Sequence, residues 1–172
     1  MPFENFDFTC FWNKGDYAMK QSAPTPTDAE IAEIEKTLGY KLPSSFIHLV
    51  KLQNGGISHN TCHPTSEETS WADDHVAIHA IYGTHNIVEH TTLMIDGWGY
   101  PPVGIAICDC PSAGHDAIFL DYRKCGTQME NGEPKVVHID QELDYEITII
   151  ADNFESFIRG LVHDAVYEED DD

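Results

Sequence analysis

Basic residues are what this sequence has least of. Nine Lys and Arg stand against 30 Asp and Glu in 172 residues, a formal net charge of −21. A surface so short of cations repels phosphate backbones, which weighs against direct nucleic-acid binding. It steers instead toward a basic partner, although acidity alone also serves solubility.

Long apolar runs are missing too. No stretch approaches the roughly 18 residues that a membrane-spanning helix needs, so no membrane association is expected. Residues 1–15, MPFENFDFTCFWNKG, lack a basic start followed by an apolar block, so no secretory leader is expected. Cysteine is not organised in pairs: Cys10, Cys62, Cys108, Cys110 and Cys125 are an odd number in a chain with 41% hydrophobic residues, enough for a core without staples. That usage fits a reducing cytoplasm better than an oxidised exterior. Phosphate cradles are absent, since neither G-x-x-x-x-G-K-[ST] nor G-x-G-x-x-G occurs.

What the sequence does have is order. Thr27 and Glu30 have capping-box spacing, Ile31, Ile34 and Leu38 follow on one stripe, and Gly39 sits where a left-handed cap belongs. Pro43 suits the first turn of a second helix, with Phe46, Leu49 and Val50 on its buried face and Asn54-Gly55-Gly56 as its stop. A polar loop is expected over residues 57–74, a half-buried strand over 75–83, and a short helix over 85–95. Residues 103–110 and 116–122 read as a hairpin joined by PSAGH, and residues 134–140 and 145–151 as two further strands. Asp152 and Glu155 are spaced for a last capping box, ahead of an apolar stripe of Phe154, Phe157, Ile158, Leu161 and Val162. Segregated helices and strands predict an α+β fold: a mainly antiparallel sheet of four to six strands, packed by two N-terminal helices and one C-terminal helix. Residues 1–167 are expected to form one domain. The tail, residues 168–172 (EEDDD), holds five of the negative charges and is expected to be disordered.

Two constellations invite a chemical reading. His59, Cys62 and His63 lie close together, and Cys108, Cys110 and His115 follow, yet no pair of zinc knuckles is spelled out. On a strand, Cys108 and Cys110 share a face and read as small buried residues, so no metal site is expected. Ser112, His115 and Asp116 crowd one turn. A triad needs side chains converging from separate elements, so the simpler reading is that Pro111, Ser112 and Gly114 make the turn while His115 and Asp116 hydrogen-bond it. Trp71, Trp98, Tyr100 and Tyr122 lie in or beside loops. Between glycines and prolines, Trp98 and Tyr100 could form an exposed anchor.

Residues 27–56, TDAEIAEIEKTLGYKLPSSFIHLVKLQNGG, resemble the N-terminal pattern of the SUKH superfamily, in the branch of bacterial immunity proteins and fungal cell-wall (glucan) synthesis regulators. The pattern pairs a helix ending in Leu38-Gly39 with Leu42-Pro43 opening a second helix that ends in Asn54-Gly55-Gly56. FWNKGDYA (11–18), TSWADD (69–74), WGYPPVGIAICDCPSAGHDAIFLDYRKCG (98–126), GEPKVVHIDQE (132–142) and ADNFESFIRGLV (151–162) are similar to one bacterial subgroup.

The resemblance implies a non-enzymatic α+β domain without catalytic residues or cofactor. Bacterial members neutralise toxins, often nucleases, by direct binding. The expectation is therefore a cytoplasmic immunity protein that occludes a basic toxin domain, with a regulatory scaffold of the cell-wall type as the alternative. A metal or enzyme role through Cys62, His63, Cys108, Cys110 and His115 is the third reading. The candidate binding surface is loop-borne: Trp71, Asp73, Asp74, Trp98, Tyr100, His115 and Asp116. Each of these also has a plain structural reading in sheet-edge packing or turn bonding.

Overall fold

A single turn of helix that the sequence pattern did not announce, α1 (Asp16–Met19), precedes the first long helix, α2 (Asp28–Leu38), in the computed structural model, which describes residues 1–168. Of residues 168–172, the tail expected to be disordered, all but Glu168 lie outside the described residues. The Thr27 hydroxyl caps α2 by accepting the Glu30 N–H at 3.1 Å, and Gly39 ends it in the left-handed region at φ 81°. The third helix, α3 (Ser44–Leu52), starts one residue later than expected. Pro43 has an extended ψ of 145° and stands before the first turn instead of inside it. Gln53 is already extended, so α3 stops just short of Asn54-Gly55-Gly56.

Among the described residues, six antiparallel strands form two sheets. The small one pairs β1 (Cys62–Pro64), hidden within the expected polar loop, with β2 (His75–Ala77). The strand expected over residues 75–83 is cut to those three residues, because the chain then leaves the ladder to cross the edge of the main sheet. Next come a short helix, α4 (Ile87–Thr92), continued by a π-helical turn (Leu93–Gly97). The main sheet is a meander of β3 (Gly104–Asp109), β4 (Asp116–Asp121), β5 (Lys135–Asp140) and β6 (Glu146–Ala151), in that spatial order. The protein is thus α+β.

All six residues of β4 are buried, as a central strand covered on both faces requires. The free edge of β3 is covered by residues 79–82: the Tyr82 N–H donates to the Ile107 carbonyl at 2.8 Å, and the His79 N–H to that of Asp109 at 2.9 Å. The apolar cluster runs from Phe3 through both N-terminal helices and the sheet to Leu161.

The last helix, α5 (Phe154–Gly160), is capped by Asn153, whose side chain accepts the Ser156 N–H at 2.8 Å, and not by Asp152 as its spacing suggested. It also stops before Leu161 and Val162. Val162 exchanges both backbone hydrogen bonds with Cys62, at 2.8 and 3.1 Å, which draws the chain out of the helix and beside β1. Under that junction the His63 ring stacks on Phe157 with centroids 5.4 Å apart, and its Nδ1 lies 2.9 Å from the Pro64 carbonyl.

Two glycines separate two kinds of cost. A Cβ on Gly39 would meet nothing within 4 Å, so Gly39→Ala should lose only the left-handed preference, about 1 kcal/mol. A Cβ on Gly83 would lie 2.5 Å from Asn54 Oδ1 and 2.7 Å from the Asn54 backbone. Gly83→Ala should therefore cost about 3 kcal/mol. Urea titration of the two variants checks the order.

Burial holds His63 below the usual imidazole pKa, the Pro64 carbonyl opposing only in part. The unfolded chain then binds more protons below about pH 6.5, so this contribution is present above that value and is lost as pH falls toward the folded pKa. The urea midpoint of the wild type should drop more, between about pH 7.5 and about pH 5.5, than that of His63→Gln. Equal drops would remove His63 as the cause.

Candidate functional site

A four-stranded meander brings alternate turns to the same end. The β3–β4 turn (residues 110–115) and the β5–β6 turn (141–145) lie side by side, since Asp116 pairs with Asp140 and Asp140 with Glu146. The loop between β1 and β2 is tied to this end by one buried carboxylate. Asp140, 1% exposed, accepts the Ser70 N–H at 2.8 Å, the Ser70 hydroxyl at 2.7 Å and the Glu142 N–H at 3.2 Å. Trp71 is the next residue, and Thr69 steadies it through its own hydroxyl at 3.3 Å from the Trp71 N–H.

The segment after the π-helical turn joins from another side. The Tyr145 hydroxyl donates to the Trp98 carbonyl at 2.6 Å, and the Tyr100 hydroxyl donates to the Gly114 carbonyl at 2.7 Å. Gly114 lets the indole lie on the turn: a Cβ there would sit 2.7 Å from the Trp98 ring. Trp71 and Trp98 end up 42% and 40% exposed. These are large apolar rings held by rigid backbone at a sheet end, as binding anchors are.

The structure places the seven sequence-proposed residues in two groups. Trp71, Asp73, Asp74, Trp98 and His115 are exposed, and His115 pairs with Glu142 at 2.5 Å. Tyr100 and Asp116 are each 2% exposed and do not reach the surface. Tyr100 is correctly flanked by glycine and proline, but its ring stacks on Phe119 at 5.8 Å and burial pushes its phenol up. Asp116 points inward to His138, 2.7 Å away and fully buried, and also accepts the Ser112 hydroxyl. The partner of Ser112 is thus a carboxylate, while His115 is turned toward Glu142. Asp116 bonds the turn through Ser112 as the simpler sequence reading expected, whereas the His115 side chain pairs across to the neighbouring β5–β6 turn.

Residues missed in the sequence complete the surface. Glu142, Asp144 and Glu146 are exposed at the same end. Tyr167 stacks on His75 at 3.7 Å between centroids, beside a cleft of about 310 Å³ that Trp71 and Pro111 also line. Consecutive antiparallel strands already imply that these turns share an end, so the acidic grouping was readable once the topology was drawn. Tyr167 had no such signal.

Charge divides along the strands. No Lys or Arg occurs in residues 65–74, 97–102, 110–116 or 141–146. Arg123, Lys124 and Lys135 gather at the opposite end, about 20 Å away along six-residue strands, and Arg123 is paired with Asp121. Cys62, Cys108, Cys110 and Cys125 are buried free thiols, and Cys10 is exposed. Burial raises the Cys108 and Cys110 thiols well above their usual range. Among the described residues no group of three or more His, Cys, Asp or Glu side chains is arranged to hold a metal ion, and no helix is long and apolar enough to cross a membrane.

The fold is an α+β meander whose turn-bearing end carries no Lys or Arg and displays two tryptophans. Its family follows from comparison. The profile described as SMI1-KNR4 cell-wall (SUKH_6) matches residues 28–158, and the chain belongs to that family. It is also similar to the SPbeta prophage-derived uncharacterized protein YokK of Bacillus subtilis (strain 168). The two are 27% identical over 166 residues, covering 85% of this chain and 80% of that protein.

The hold of Asp140 on the Trp71 loop is testable. Asp140→Asn should speed amide exchange at Ser70 and Trp71 by about tenfold or more, through loss of roughly 1.4 kcal/mol of local stability. Protection in β3 and β4 should persist. Uniform acceleration through the sheet would show that Asp140 supports the whole fold instead.

Proposed function

We propose that the chain is a non-catalytic immunity protein of the cytoplasm that binds and neutralises a basic toxin domain. The observation that carries this reading is the cation-free end of the sheet, where Trp71 and Trp98 stand among Asp73, Asp74, Glu142 and Asp144. Two tryptophans supply desolvated anchors, and the acidic field accelerates encounter with a basic partner. Family membership supports a role in protein binding, and the likeness to a prophage-derived protein suits a gene borne on a mobile element. The bonding of Ser112 to a buried carboxylate supports the non-catalytic part of the reading.

The cell-wall description of the matching family favours a second reading, a regulatory scaffold. It differs in its prediction: affinity capture would return stable partners of the envelope-synthesis machinery and no toxin.

Co-expression decides the first reading. Cells producing the cognate toxin domain should survive only when this chain is present. Trp71→Ala and Trp98→Ala together should weaken the complex by about 30-fold or more, and added salt should slow association more than it speeds dissociation. Equal killing with and without the chain would end the immunity reading.

A further inference from the structure

A trough lies between α2 and the start of α4, sharing no lining residue with the tryptophan-bearing cleft. Its volume is about 510 Å³, within the roughly 300–1,000 Å³ of specific binding pockets. Ile34 and Val88 give it an apolar floor with Pro24 exposed at its rim, and Asn54 lies at its base with its amide already engaged by Pro24 and Thr84. Glu30, Glu33 and Thr37 of α2 form one wall, at spacings that put them on the same helical stripe as Ile34. Thr84 and His85 stand opposite. No Lys or Arg lines the trough. Among the described residues neither Glu30 nor Glu33 has a cationic partner within 4 Å, although α2 does pair Asp28 with Lys51.

We propose that this trough is a docking groove for a protein segment that carries an aliphatic side chain beside Lys or Arg. The apolar floor would take the aliphatic group, and Glu30 and Glu33 would take the cations.

The shape selects a peptide over a small apolar ligand. Thr25, Glu30, Glu33, Thr37 and His85 are exposed, so the trough is open along its rim. A small ligand needs most of its surface enclosed. A side chain held by its own backbone does not. The wall is regular helix, anchored at one end by the Thr27 cap and at the other by Gly39, so little ordering is left for binding to impose. The inference concerns a different surface from the sheet end and stands whether or not the partner is a toxin.

Amide NMR of the whole chain tests it with three short synthetic peptides. One is an amphipathic Leu/Lys sequence, the second replaces Lys by Glu, and the third replaces Leu by Ser. The Leu/Lys peptide should shift the amides of Ile34, Thr37, Thr84 and Val88, and the other two should not. Glu30→Lys combined with Glu33→Lys, both at exposed helix positions, should raise its Kd by about tenfold or more. The remaining spectrum reports that the variant is folded. Shifts confined to the Trp71 and Trp98 end, equal binding of the Ser-substituted peptide, or no shifts at all would overturn the groove. Concentration-dependent shifts of the same amides without peptide would make a second copy the occupant, and would overturn it as well.

Discussion

The helical layer is tied together by one side chain, the carboxamide of Asn54. It is 2% exposed, and each of its polar atoms is used. Nδ2 donates to the Pro24 carbonyl at 3.0 Å and to the Thr84 hydroxyl at 2.7 Å, while Oδ1 accepts the Thr84 N–H at 2.8 Å. Its own carbonyl takes the Ala23 N–H at 2.9 Å. Three segments therefore cross there: the lead-in to α2, the exit from α3 and the approach to α4. The crossing is so close that Gly55 and Gly83 face each other without room for a methyl group. Two residues on, Gly56 pairs with Ile81, and Ile81 in turn bridges to Cys108. The helical layer is joined to the β3 edge of the sheet through this chain of contacts.

A buried amide with every hydrogen bond made is a demanding device. Leaving any partner unpaired costs roughly 1–3 kcal/mol, so the geometry tolerates little variation. Asn54-Gly55-Gly56 thus has a definite structural task in this fold. The asparagine ties, and the two glycines allow the approach.

The surface at the far end of the sheet is built by the same logic with a different residue. Asp140 is buried and holds Ser70, so a loop from the small sheet is pinned to a turn of the large one. Tyr100 and Tyr145 pin the Trp98 segment from the other side. Buried polar residues position the turns, and aromatic and acidic residues stand exposed on them. Tyr100 and Asp116, assigned to the surface on sequence grounds, belong to the positioning set.

Local signals were legible from the chain alone. Thr27 and Gly39 bound α2 because a cap acts on residues three or four positions away, and PSAGH closes a hairpin for the same reason. The charge imbalance, the consecutive strands and the resemblance that led to the family were also in the sequence. What it could not contain was every outcome set by residues distant along the chain. Helix α5 stops at Gly160 because Val162 finds Cys62, a hundred positions earlier. Tyr100 is inside because Phe119 and Gly114 are beside it. Whether an aromatic beside glycine is anchor or core depends on what packs over it, and only the folded chain decides that.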